Sequence, residues 1–226
     1  MTEITKSITY LNEYKSLKKA VDEGKTPVLT VGLSAIHKAN LAAALGADTA
    51  RPVLVLTDDD NAANRFAADL RGFAEREVVQ LPSRELVMAD VAGVSRGYEQ
   101  ARLAALDTLS GACFAVASVQ AAAQRTMPPA LLAASIVTLK AGEEAPLDEL
   151  THRLTDAGYE RCSQVEGMGQ FSVRGGILDV FPPQAEHPYR VEFWDDEIDS
   201  ISTFDVGSQR RLEQCETLRC LPCMEA

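Results

Sequence analysis

The chain has 226 residues, 24% of them charged and 46% in the hydrophobic set, which suits a soluble globular protein of one large or two modest domains and excludes collagen-like, mucin-like and wholly disordered chains. Lys and Arg total 22 against 33 Asp and Glu, a formal net charge of -11; an acidic surface repels phosphate backbones, so nucleic acid is not expected as a direct partner. The longest uncharged stretch, Thr108 to Gln124, is too short and too polar to span a bilayer, and the opening Met1-Thr2-Glu3-Ile4-Thr5-Lys6 lacks the apolar run of a signal peptide, so a cytoplasmic location with no membrane partner is expected.

Short β-branched runs then alternate with segments at helical spacing: Pro27 to Val31, His37 to Ala47, Pro52 to Thr57, Asn61 to Ala74, Val78 to Leu81, Gly93 to Leu109 and Cys113 to Ser118. This order predicts right-handed crossovers and a mostly parallel sheet covered on both faces. Val53-Leu54-Val55-Leu56 and Phe114-Ala115-Val116-Ala117 are apolar at each position and read as central strands. Ala63, Phe66, Ala67, Leu70 and Phe73 share one stripe of a helix laid on that sheet, while Arg65, Asp69 and Arg71 fall elsewhere.

Pro128-Pro129 breaks the rhythm, and a domain boundary is expected between about 126 and 137. Pro146 opens a helix with Leu147, Leu150, Leu154 and Ala157 on one face, closed by Gly158. Beyond Gly158 the chain is β-rich. Apolar parity switches between Phe171, Val173 and Ile177, Leu178, Val180, so Gly175-Gly176 is expected to hold a tight bend or bulge. Tyr189, Val191 and Phe193 alternate with Arg190, Glu192 and Trp194, a strand with one wet face, and Asp195-Asp196-Glu197 turns the chain toward Ile198, Ile201 and Phe204.

The chemistry legible in these segments is sparse. A phosphate-binding loop would follow the first strand, where the sequence reads Gly32-Leu33-Ser34-Ala35-Ile36-His37-Lys38-Ala39. Gly32 and Lys38 suit such a loop, but Ala35 stands where a second glycine would let amides wrap the phosphates, and Ala39 offers no oxygen to magnesium. A degenerate loop that merely starts a helix is the favoured reading. Asp58-Asp59-Asp60 could hold magnesium, but carboxylates just before a helix also cap its free amides, which explains the run without a metal. His37, His152 and His187 lie in three contexts with no nucleophile elbow, so no catalytic residue is assigned.

Five cysteines, an odd number, read as reduced thiols. Cys215, Cys220 and Cys223 cluster without a nearby histidine or fourth cysteine, so no metal is assigned and they read as small apolar residues in a strand entering another segment. Neither a metal nor a cofactor is expected. The most informative surface is then the strand face that carries Arg190, Glu192 and Trp194, with Arg174 in phase with Ser172 on its own strand. An exposed Trp among charges suits a binding hot spot; a Trp covered by a neighbouring domain, with Arg174 paired to a local acid, fits the pattern equally well.

These same residues carry a family resemblance. Gly169-Gln170-Phe171-Ser172-Val173-Arg174-Gly175-Gly176-Ile177-Leu178-Asp179-Val180-Phe181-Pro182 and Pro188-Tyr189-Arg190-Val191-Glu192-Phe193-Trp194-Asp195-Asp196-Glu197-Ile198-Asp199-Ser200-Ile201, followed by Phe204-Asp205 and Ser208-Gln209-Arg210, closely resemble the bacterial transcription-repair coupling factors (Mfd). Gly32-Leu33-Ser34 with Lys38 looks like that family's own degenerate phosphate loop. The resemblance implies an α/β fold in two parts. Residues 1–130 would form a parallel-sheet, degenerate RecA-like P-loop domain, and 131–212 a smaller α+β domain like the second domain of the repair helicase UvrB. Residues 213–226 would begin a further, truncated segment.

It also implies a module that is not an enzyme and docks onto UvrA, the damage sensor of nucleotide excision repair, so recruiting repair to stalled RNA polymerase. RNA polymerase and DNA would be engaged only through parts of the family protein absent here. The family's two contact arginines and aromatic fall on Arg174, Arg190 and Trp194, with Glu192 on the same face; the aromatic is commonly Phe, so Trp194 departs in size. UvrB itself fits less well, because it keeps a complete phosphate loop and a tyrosine-rich DNA hairpin, where this chain has Leu81-Pro82-Ser83-Arg84-Glu85-Leu86-Val87-Met88. The chain reads as an N-terminal portion of the family protein, with a naturally short homologue as the alternative. A nucleotide-dependent, UvrB-like repair enzyme using Gly32, Lys38 and the Asp58 to Asp60 run is the competing function, and a DNA-binding module a third.

Overall fold

The computed structural model describes residues 2–84, 97–109 and 114–225. The expected segments starting at Gly93 and Cys113, and the stretch Glu85 to Met88, therefore lie partly or wholly outside the described residues. The chain is mixed α/β with parallel and antiparallel sheets, and it divides into two compact units. Among the described residues the first unit holds 2–84, 108–109 and 114–124, and the second 97–107 and 125–225. No helix among the described residues is long and apolar enough to cross a membrane.

In the first unit α1 (Glu3–Ile8), α2 (Asn12–Asp22) and α3 (Ala35–Thr49) precede β1 (Val53–Thr57), α4 (Asp60–Arg71) and β2 (Val78–Leu81). β3 (Phe114–Ser118) and α6 (Val119–Ala123) complete it; α5 (Gly97–Thr108), which precedes them in the chain, falls in the second unit but for its last residue. The sheet has the order β1-β3-β2 and is parallel throughout, with Val53 and Val78 both level with Phe114. Small side chains let the layers approach: Ala39 and Ala43 of α3 and Ala63, Ala67 and Leu70 of α4 bury against Val78, Phe114 and Val116.

Two sequence expectations fail in this unit. Residues 27–31 form no strand, and Leu29 and Val31 are exposed. Their β-branched composition supplies propensity, but a strand exists only where a neighbour takes its main-chain hydrogen bonds, and none of the sheet strands pairs with them. Among the described residues β1 is also an edge strand, not a central one, and one of its faces is covered. Val53 and Val55 pack on the core, whereas Leu54 and Leu56 are 61% and 53% exposed. β3, the other wholly apolar run, is central and buried at each position.

The second unit adds α7 (Pro129–Ser135), β4 (Val137–Lys140), α8 (Leu147–Asp156), β5 (Glu160–Arg161), β6 (Gln170–Arg174), β7 (Ile177–Val180), β8 (Tyr189–Trp194), β9 (Glu197–Phe204), β10 (Arg211–Cys215) and β11 (Thr217–Cys220). Six strands run in the order β10-β9-β8-β7-β6-β5, antiparallel except between β5 and β6, while β11 pairs antiparallel with β4. Leu150 and Leu154 of α8 close one face of the core over Phe171, Leu178, Val180, Val191 and Ile201, with Leu139 and Leu218 beside them. The helix ends as its glycine predicts. Gly158 takes φ +86°, its N–H donates to Thr155 O and that of Tyr159 to Leu154 O, the paired bonds of a Schellman cap. On the opposite face Val165, Phe181 and Phe204 form a smaller apolar cluster. A charge pair is also sealed in this unit: Arg102 and Glu225, both with fully buried side chains, meet at 3.2 Å.

Candidate functional site

Strand alternation decides which side chains share a face. On β8, Val191 is fully buried and Tyr189 and Phe193 pack against the main core, so Arg190, Glu192 and Trp194 point to the other side. Register then brings their neighbours alongside: Asp179 of β7 and Ser202 of β9 flank Arg190, and Ile177 and Ser200 flank Glu192. The Gly175-Gly176 bend is a two-residue hairpin turn between Arg174 and Ile177, with Gly175 at φ +60°, a conformation a side chain disfavours. A second short turn, Asp195-Asp196, follows Trp194 and leads into β9 at Glu197. Phe193 N–H donates to Gly176 O at 2.8 Å, so the Gly175-Gly176 turn lies beside the end of β8.

The indole of Trp194 stands out from this end of the sheet, with the residue 81% exposed. Arg174 and Arg190 both turn to the carboxylate of Asp179, itself 1% exposed. Arg190 grips it twice, Nε to Oδ1 at 2.7 Å and Nη2 to Oδ2 at 2.9 Å, and Arg174 Nη2 donates to Oδ2 at 2.7 Å. The two arginines are not equivalent. Arg190 has an 18% exposed side chain, lies 4.6 Å above the Phe204 ring and reaches Gln209 Oε1 at 3.4 Å, whereas the Arg174 side chain is 51% exposed. The hydrogen bonds to Asp179 push the Arg190 guanidinium further toward its charged form, against the desolvation that would lower it.

Glu192 accepts from Arg211 Nη2 at 2.5 Å and from Ser200 Oγ at 2.9 Å, and these two bonds, Arg211's first, hold its carboxyl below the ordinary range. The face therefore presents one bare aromatic, one half-free guanidinium and a set of charges already answered from within. It has donors for a partner's carboxylates and apolar area for its surface.

Gly32 and Lys38 lie in the other unit. Gly32 adopts φ +78° in an exposed loop, and Lys38 is exposed on α3, lining a cavity of about 600 Å³ with Ala35, Leu56, Asp58, Arg65 and Phe66. Ser34 Oγ meets His37 Nδ1 at 3.0 Å and does not cap α3. In the acidic run, Asp59 accepts from Ala62 N at 2.7 Å as the N-cap of α4, and Asp60 takes the N–H and hydroxyl of Ser83. Cys215 is half-buried and Cys220 and Cys223 are buried. Among the described residues no group of three or more His, Cys, Asp or Glu is placed to hold a metal ion.

Asp179, Phe204 and Arg211 are parts of this face that reading the sequence did not assign. The available signal was Asp179 itself, an acid at polar-face parity inside the otherwise apolar strand Ile177-Leu178-Asp179-Val180.

The family described as UvrB interaction domain matches residues 137–225. The chain is 32% identical to the transcription-repair-coupling factor of Bacillus subtilis (strain 168) over 228 residues, covering 100% of this chain and 19% of that protein. It is 38% identical to the transcription-repair-coupling factor of Mycobacterium tuberculosis (strain CDC 1551 / Oshkosh) over 185 residues, covering 77% of this chain and 15% of the relative. Against the Escherichia coli (strain K12) protein of the same name it is 34% identical over 190 residues, covering 83% and 16% respectively. The chain thus spans less than a fifth of the length of these curated relatives.

Proposed function

Because this chain belongs to the transcription-repair-coupling factor family and carries its UvrB interaction domain, we propose that it is a non-catalytic docking module that binds UvrA. In the longer family protein it would recruit nucleotide excision repair to RNA polymerase stalled on DNA. On this proposal residues 1–130 are a degenerate P-loop scaffold like the first domain of UvrB, 131–212 the UvrA-binding domain, and 213–226 the start of the following segment.

One observation carries the proposal. In the unit that holds the UvrB interaction match, a tryptophan 81% exposed stands at the same end of the sheet as a half-free arginine. A large aromatic left in water adds little apolar burial to its own fold, and its burial by a partner is worth a few kcal/mol, roughly 25 cal/mol per Å² of apolar area. Arg174 adds a charge-assisted hydrogen bond to a partner carboxylate. Glu192, held ionised by Arg211 and Ser200, would orient cationic groups of the partner at the rim.

The test is co-purification with UvrA of the native chain against Arg174→Ala and Trp194→Ala. Capture should fall for both variants while their folding is intact. Undiminished capture by both would refute the site. Titration of the chain with magnesium ATP, native against Lys38→Ala, addresses the competing enzyme: saturable binding weakened by the substitution would displace the docking module.

A further inference from the structure

Asp179 is shared by two arginines of unequal freedom, and two buried hydroxyls stand beside them with nothing to bond. Ser172 and Ser202 are each 1% exposed, and neither Oγ has a hydrogen-bond partner among the described residues. Their register gives them a purpose. Ser172 of β6 is directly opposite Asp179, and Ser202 of β9 directly opposite Arg190, so one polar row crosses four strands as Ser172, Asp179, Arg190, Ser202. Facing residues of an antiparallel pair hold their Cβ atoms about 4.5–5.5 Å apart, close enough for a rotating hydroxyl to reach its neighbour's carboxylate.

A buried hydroxyl without a partner is costly, so one that stands beside a carboxylate calls for an account of what it bonds. Asp179 has one bond that can change. Arg190 is fixed by its two bonds to Asp179, the Phe204 ring and Gln209, whereas Arg174 is half-exposed and its only side-chain hydrogen bond among the described residues goes to Oδ2.

We propose that Asp179 and Ser172 are positioning residues of the docking surface: Asp179 holds Arg174 in reach of solvent until a carboxylate on the partner takes it, and the Ser172 hydroxyl then donates to Oδ2 in the place Arg174 leaves, beside the Arg190 Nη2 that stays there. The proposal rests on the docking function above and deepens it. Arg174 exchanges one carboxylate for another, Arg190 stays behind to neutralise Asp179, and Ser172 keeps that buried carboxylate satisfied. Arg174 is the arginine that meets the partner, Arg190 the one that keeps the site charged and shaped.

Two measurements on the 226-residue chain test this. In urea unfolding without any partner, Ser172→Ala should leave the native chain's stability unchanged or slightly raised, because the hydroxyl bonds nothing there. In the Arg174→Ala background the same substitution should be destabilising, because the hydroxyl has then turned to Asp179. In UvrA titrations Arg174→Ala should lower affinity about tenfold or more, and Ser172→Ala about fivefold in the native background, as loss of one neutral hydrogen bond gives. Ser172→Ala should change affinity by less than about twofold once Arg174 is alanine, since contacts in one network are not additive.

Equal effects of Ser172→Ala in both backgrounds, on stability and on affinity, would overturn the exchange while a loss of binding by Arg174→Ala left the docking site standing. Failure of the native chain to bind UvrA would overturn both.

Discussion

Arg190→Ala should damage the second unit far more than Arg174→Ala, although both remove a guanidinium from the same carboxylate. Asp179 is 1% exposed and receives three hydrogen bonds, two of them from Arg190. Stripping the main partner from a buried charge costs about 3–5 kcal/mol, and loss of the contact over Phe204 adds about 0.5–1 kcal/mol. Arg174→Ala removes one bond from a half-exposed side chain and leaves Asp179 gripped by Arg190, so about 1 kcal/mol is expected.

With a urea slope of about 2 kcal/mol per molar, Arg190→Ala should lower the midpoint by about 2 M, against about 0.5 M for Arg174→Ala. Because the chain has two units, unfolding is best followed by amide exchange of β7, β8 and β9. Adding Asp179→Asn to Arg190→Ala should recover about 2 kcal/mol, because a neutral amide is cheaper to bury unpaired than a carboxylate. Equal midpoints for the two arginine variants, or no recovery in the double variant, would refute the assignment of Arg190 as the counter-ion of Asp179. The result also governs how binding data are interpreted, because loss of UvrA capture by Arg190→Ala alone would report a broken sheet as readily as a lost contact.

Gly158→Ala should destabilise the chain by about 1–2 kcal/mol, since φ there is +86° and a new Cβ would press on the Met224 side chain. Calorimetry should register this as a drop in Tm of about 2–8 °C, and an unchanged Tm would deny the glycine its role in ending α8. Cys220, with its thiol pushed up to about 12 by complete burial, and the buried Cys223 should resist thiol reagents at pH 8 in the folded chain. Of the described cysteines, Cys215 should react first and Cys162, its thiol raised by burial, more slowly, as peptide mass spectrometry after pulse labelling would resolve; modification of Cys220 at the rate of Cys215 would contradict its burial.

Local signals were the ones the sequence carried clearly. The leucine spacing of α8 and its terminal glycine, the Gly175-Gly176 turn and the alternation of β8 each depend on residues within a few positions of one another, and each appears in the fold. Alternation put Trp194 on the face away from the core, but it could not say whether another segment covers the indole. Central against edge placement was not legible, because Val53 to Leu56 and Phe114 to Ala117 look alike as strings while, among the described residues, β3 has strands on both sides and β1 on one. Pro27 to Val31 misled for the same reason: composition favours a strand, and pairing makes one. The surroundings of Arg190 were hidden too, since Asp179, Phe204 and Gln209 lie 11 to 19 residues away or on other strands and meet it only through register.

Titration of purified UvrA with the native chain and with Trp194→Ala is the most direct test of the docking surface, with amide exchange verifying that the variant stays folded. Saturable binding by the native chain, weakened at least about tenfold by loss of the indole and further weakened by added salt, is the expected result. Equal affinity for the two chains, or no binding by the native one, would contradict it.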